Sequence, residues 1–377
     1  MLTFRQLEDA GDAVVRIMAE TEQALINDMA RRIARLGKVT DTTSLQAQRL
    51  ALMNTTQETI TKELARALNM TEQRIVELFD EAATRALALD DQMFRAAGYE
   101  PVPLAENPYL QQLIRAGLTK TLMEYQNLTL TTAKTATLQF ERALDLAYKE
   151  IASGGYTYQQ AIRDGIRTLT RGGIESIRYP TGWVDHLDVA FRRATLTGIN
   201  QTAAEIQLAN ISMMGTDLVE TTAHPGARPE HATWQGRVFS VSGTHALYPD
   251  FRRETGYGTG PGLCGWNCRH SFFPFFEGLS DSAYPADKLR EYNNKMVTYN
   301  DKTMSLYDAT QQQRYIERKI RRWKREDNAM AVAGDFDASW KAHDRVLYWQ
   351  SVQRDFIKQT GLRRDYFRER AGAQVVK

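Results

Sequence analysis

The segment Thr216–Gly278 constrains this chain most. Sixty-three residues hold nine of the 24 glycines, five of the ten prolines, four of the six histidines and both cysteines. Proline lacks an amide donor and glycine carries a high conformational entropy, so no long helix can run through such a stretch. Short β-prone pieces, Leu218–Thr222 and Arg237–Val241, are bounded by turn residues. The composition predicts a small, loop-rich α+β insert, folded around aromatics such as Trp234 and Phe239.

On both sides the pattern is helical. Leu7, Met18 and Met29 recur every eleven residues, as do Val14, Leu25 and Leu36. Eleven residues over three turns is close to the natural helix period, so this apolar seam predicts one straight helix stopped by Gly37. The exposed strip would then need a partner helix or a neighbouring subunit. Further helical runs cover about 43–68, 71–98 with Thr71 as N-cap, 109–151, 158–169 and 184–214, and the chain is helical again after Asp281. The fold class expected is mainly α with a small α+β loop-rich insert and long helices in the N-terminal and C-terminal arms. The expected divisions are 1–100, 101–215, 216–280 and 281–377. No apolar run reaches membrane-spanning length, and the acidic start does not read as a secretory leader. Two cysteines four residues apart exclude a disulfide framework. These features place the chain in a bacterial-type cytosol or in a particle assembled there.

Phosphate-loop, HExxH and GxSxG motifs are absent from the sequence. Glycines 256, 258, 260 and 262 suit a tight loop better than a phosphate cradle, because Pro261 interrupts them. The chemistry-bearing tract is Cys264-Gly265-Trp266-Asn267-Cys268-Arg269-His270, with His224, His231 and His245 upstream. Thiolate and imidazole together suit structural zinc, with Cys268 and His270 joined by some of Cys264, His245 and His231. Two alternatives stand beside it: buried thiols and hydrogen-bonded histidines without metal, and a hydrolase centred on Cys268 and His270. Arg228 and His231 are also candidate ligand groups.

Charge is uneven although the chain nets only +2. Residues 311–377 carry 16 Lys and Arg against nine Asp and Glu. Most of the excess lies in Arg314, Arg318, Lys319, Arg321, Arg322, Lys324 and Arg325, with Glu317 the one acid among them. Tyr315, Ile316, Ile320 and Trp323 recur at helical spacing, predicting an amphipathic helix with a basic outer face. Such a face meets solvent and acidic neighbours, an acidic partner protein, or DNA phosphate.

Three stretches, 224–240, Gly256-Tyr257-Gly258 and 262–275, resemble the tailed-phage minor capsid protein 2 family. That family is distantly related to the Mu F-like head-morphogenesis proteins, whose signature also ends in an Asn-Cys-Arg tract beside a cysteine or histidine. The resemblance extends to 196–203, to Gln313-Arg314 with Glu317-Arg318, and to Asp90-Asp91 with Ala97-Gly98. It implies a low-copy virion component assembled in the host cytoplasm. Such a component would associate with portal and capsid proteins at the portal vertex and act in head assembly or DNA packaging and delivery. No catalytic residues are implied. The wider group suggests a structural metal site in the Cys–His tract, although this sequence lacks the upstream cysteine pair of some Mu F-like members.

Overall fold

The computed structural model describes residues 2–36 and 42–372. In chain order it contains α1 (Phe4–Ala10), α2 (Asp12–Leu36), α3 (Thr42–Ala96), α4 (Pro108–Ala152), α5 (Tyr158–Thr170), β1 (Glu175–Arg178), β2 (Val184–His186) and α6 (Leu187–Met213). There follow β3 (Leu218–Thr221), α7 (Pro229–Ala232), β4 (Val238–Ser240), α8 (Phe251–Thr255), β5 (Phe272–Pro274) and α9 (Ala286–Asn293). The chain continues through β6 (Met296–Tyr299), β7 (Lys302–Ser305), α10 (Leu306–Ala333) and α11 (Phe336–Thr360). The protein is mainly α with small antiparallel sheets, as expected. No helix among the described residues is long and apolar enough to cross a membrane.

Three expectations change. The N-terminal seam is not carried by one helix, because a turn at Gly11 separates α1 from α2. All six seam residues are nevertheless buried within the chain. The proposed stop at Gly37 lies outside the described residues. Thr71 is no N-cap: it is buried inside the 55-residue α3, and its Oγ1 donates to the Ala67 carbonyl at 2.7 Å. An interior threonine can satisfy its hydroxyl this way, which the capping reading overlooked. The hairpins β1–β2 and β6–β7 were not anticipated. Asn300 and Asp301 both adopt positive φ between β6 and β7, as a tight hairpin turn requires.

The chain divides into two compact units. The first comprises Met1–Asp12, Glu72–Glu124 and Arg192–Thr310; the second comprises Ala13–Thr71, Tyr125–Phe191 and Gln311–Lys377.

In the first unit β3 is the middle strand of a β4-β3-β5 sheet. Val219 faces Phe239 on one side and Pro274 on the other. The sheet, α8 and the glycine loop enclose Val219, Trp234, Phe239, Phe251, Leu263 and Phe272, so Trp234 and Phe239 fill the small core as expected.

In the second unit α5 packs backbone-close on α4. A Cβ added at Gly165 would stand 2.9 Å from the Ala143 carbonyl oxygen, which only glycine permits. Gln139 of α4 clamps the start of β1, donating to Gly173 O at 3.1 Å and accepting from Glu175 N at 2.9 Å.

Glu317 in this unit is buried beside Gln313, with Arg314, Arg368 and Asp365 as charged neighbours. Burial pushes its carboxyl up to about 7 against the opposing pull of both arginines. Its folded pKa therefore exceeds the unfolded one, and the native state holds its proton longer. The resulting stabilisation is full below the unfolded pKa and is lost as pH rises through about 7. Unfolding free energies from urea titrations across this window are expected to fall, by about 3 kcal/mol at most, and Glu317→Gln is expected to flatten that slope. An unchanged slope in the variant would remove Glu317 as its source.

Candidate metal centre

Two devices form the tract 264–270. The first is the glycine loop. Gly256 has φ +64, and the backbone of Gly256 lies so close to Gly262 that no Cβ fits there. The Leu263 amide returns to Thr255 O at 2.9 Å, and the Trp266 amide to Gly260 O at 2.6 Å. Through these bonds the loop folds back on itself. The second device is a pair of left-handed residues, Cys264 at φ +59 and Asn267 at φ +55. Asparagine tolerates this region, whereas cysteine there is costly. Together they turn the chain so that Cys268 N reaches Gly265 O at 3.1 Å and the sulfur of Cys268 points inward.

Distant segments hold the tract in place. Asn200 of α6 donates its Nδ2 to Cys268 O at 3.3 Å and to His270 O at 3.2 Å. Two turns along, Gln207 donates to Phe272 O at 2.9 Å and to Asp90 Oδ2 at 2.6 Å, while Asn210 donates to Asp91 Oδ1 at 3.3 Å. Burial pushes Asp90 up to about 6. Arg228, just before α7, caps the arrangement, donating to Trp266 O at 2.6 Å.

The structure brings His231, Cys268 and His270 together, all buried, with one ligating atom from each within 4.8 Å of the others. Cys268 Sγ lies 3.7 Å from His270 Nδ1 and 3.9 Å from His231 Nδ1. Cys264 is buried nearby, but its sulfur meets His270 O at 3.7 Å and falls outside this group. His245 is elsewhere: its Nδ1 accepts from Leu247 N, and its Nε2 lies 3.7 Å from Glu277. His224 stacks on His270 at 4.3 Å between centroids and meets Phe4 on the other side at 4.5 Å. Burial pushes both thiols up. It also holds His231 low and His270 well below the usual imidazole range, with the charges of His224, His231, Arg228 and Arg269 adding to the effect on His270. Motif reading missed Gln235, whose Oε1 accepts from both His224 N (3.1 Å) and His270 Nε2 (3.0 Å).

The basic tract of α10 does not present seven outward cations. Arg321 pairs with Asp188, and burial lowers its pKa to about 10. Arg325 pairs with Glu22 at 3.1 Å, and burial lowers the Lys324 ammonium. Lys319 and Arg322 lie over the Tyr315 and Trp323 rings at 5.0 and 4.5 Å. Arg318 is exposed and Arg314 half-buried. The helical period was right, but acids on other elements draw part of the basic face inward.

The buried Cys–His tract, tied to α3 and α6 by side-chain amides, defines a structural module, and its family follows from comparison. The chain matches the phage minor capsid protein 2 model over residues 2–358 and belongs to that family; it is a structural phage protein. It is similar to a "Structural protein" of Lactococcus phage LL-H, 25% identical over 225 residues, or 58% of each chain. The match thus spans little more than half of that relative. A "Structural protein" of Lactococcus phage mv4 is 29% identical over 118 residues, covering 31% of this chain and 87% of the relative. No solved structure matches.

Proposed function

We propose that this chain is a non-catalytic virion component at the portal vertex, assembled in the host cytoplasm, with portal and capsid proteins as partners in head assembly or DNA packaging and delivery. The observation that carries the proposal is the family match over nearly the whole chain. The site chemistry agrees with a structural role. Cys268 is buried, whereas a hydrolytic nucleophile needs an accessible sulfur. Exposed Arg318 and the half-buried Lys319 and Arg322 are the part of the basic tract placed to meet packaged DNA or an acidic partner.

Electron imaging of particles carrying a labelled copy of the full chain tests this reading. Label at a single vertex per head is expected. Label at every vertex, or none in purified virions, would overturn it.

A further inference from the structure

We infer that His231 Nδ1, Cys268 Sγ and His270 Nδ1 are the three protein ligands of one zinc ion, which clamps the glycine-rich module shut. The case begins with tautomers. His231 Nε2 faces the Pro261 carbonyl at 2.8 Å, and a carbonyl can only accept, so Nε2 carries the proton. His270 Nε2 faces Gln235 Oε1 at 3.0 Å. The His224 amide already donates to that oxygen, which fixes it as an acceptor, so this Nε2 is protonated as well. Each neutral ring therefore turns a bare Nδ1 lone pair toward the same sulfur. A single thiol proton can serve one of them, and a buried lone pair without a donor is costly. A cation serves all three atoms at once.

The spacing agrees. Zinc–sulfur and zinc–nitrogen bonds of about 2.3 and 2.0–2.1 Å set tetrahedral S···N edges at roughly 3.6 Å. The two edges here are 3.7 and 3.9 Å. The surroundings are those of a metal site too. Each imidazole hands its other N–H to an oxygen, the arrangement that orients ligating histidines. The His270 amide donates to Cys268 Sγ at 3.4 Å, as suits a thiolate. Cys264 and His245, both candidates from sequence, stand outside the set. The fourth position falls to a non-protein ligand such as water.

Imidazole with thiolate suits zinc or copper. Burial decides between them. A copper electron-transfer site needs an accessible ligand edge, whereas His231 and His270 are 3% and 1% exposed and their outer nitrogens are occupied. The same burial leaves little room for a substrate beside the ion, which fits a clamp, whatever the chain's position in the particle.

The test uses the purified full chain. Elemental analysis is expected to find about one zinc per chain. After removal of zinc, added Co²⁺ should give the visible bands of tetrahedral cobalt with a thiolate charge-transfer band. Cys268→Ser and His270→Ala should lose the metal, and Cys264→Ser and His245→Ala should keep it. Gln235→Leu, which removes only the acceptor behind His270, should weaken zinc binding about 10–100-fold. If Cys268→Ser does not fold, the cobalt spectrum of the unmodified chain still decides. A chain that takes up neither zinc nor cobalt, intense blue copper binding in place of zinc, or zinc lost equally in Cys264→Ser would each overturn the assignment.

Discussion

Glu22→Ala is expected to destabilise the native state by about 3–5 kcal/mol, the range for removing one partner of a buried ion pair. Glu22 and Arg325 have side chains only 3% and 7% exposed, joined at 3.1 Å. Glu22 holds a second group as well: its Oε1 accepts the Ile174 amide at 2.9 Å. Gly173, at φ +85, packs directly against both side chains, so no larger residue could fill the space from that direction. Alanine at position 22 would leave a guanidinium and an amide buried without their acceptor. Arg321 lies close enough to repel Arg325 through space, which deepens the loss. Glu22→Gln keeps an acceptor for Ile174 and should cost less. Replacing both members, Glu22→Met with Arg325→Met, should cost less than the sum of the single changes, because neither charge is then stranded. Urea unfolding of the four proteins measures the cycle. A loss below about 1 kcal/mol in Glu22→Ala would mean that water reaches Arg325 and that the pair is not truly buried.

This pair also shows where sequence reasoning stops. The period of Ile316 and Ile320 placed α10 correctly, and the charges on the same helix were visible. Whether a charge faces water depends on what another element offers it. Glu22 and Asp188 lie some 300 and 130 residues away in sequence, and nothing local to Arg325 or Arg321 points to them. The break at Gly11 and the continuity of α3 through Thr71 failed for a related reason. Glycine and threonine are helix boundaries in one context and helix interior in another, and packing decides between the two. The Cys–His tract was more legible, because its residue types carry their chemistry with them. Choosing His231 over His245 was beyond the sequence, since both are upstream histidines in loop-rich chain. The choice rests on α7, which sets His231 against the Pro261 carbonyl and the Cys268 sulfur. Asp90-Asp91 and Asn200 entered the sequence argument only through family resemblance. The structure supplies their physical reason: Asn200 fixes the carbonyls on either side of Arg269, and Asp90 anchors Gln207, which in turn holds Phe272.

Phe251→Ala should hollow the core on which that tract rests, at a cost of about 3–5 kcal/mol. The ring is fully buried, with centroids 5.0 Å from Phe272, 5.2 Å from Tyr257 and 6.5 Å from Phe239. It therefore joins β4, β5 and the glycine loop, three pieces that share few backbone bonds. Asp250 sets the ring's direction by capping α8, its side chain accepting the Arg253 amide at 2.6 Å. In so small a module the walls cannot collapse far into the space left, because the sheet and the folded-back loop fix them on two sides. Phe251→Leu keeps most of the volume and should cost clearly less. Leu263, Cys264 and Cys268 belong to the same buried cluster, so the effect should reach the thiols. In the unmodified chain Cys264 and Cys268 should react with an alkylating reagent only when the module opens. In Phe251→Ala both should react faster, by a factor matching the loss of stability measured in urea. Faster alkylation without loss of stability would separate the tract from its core, and unchanged alkylation beside a full loss would show that the thiols are shielded by something other than this aromatic cluster.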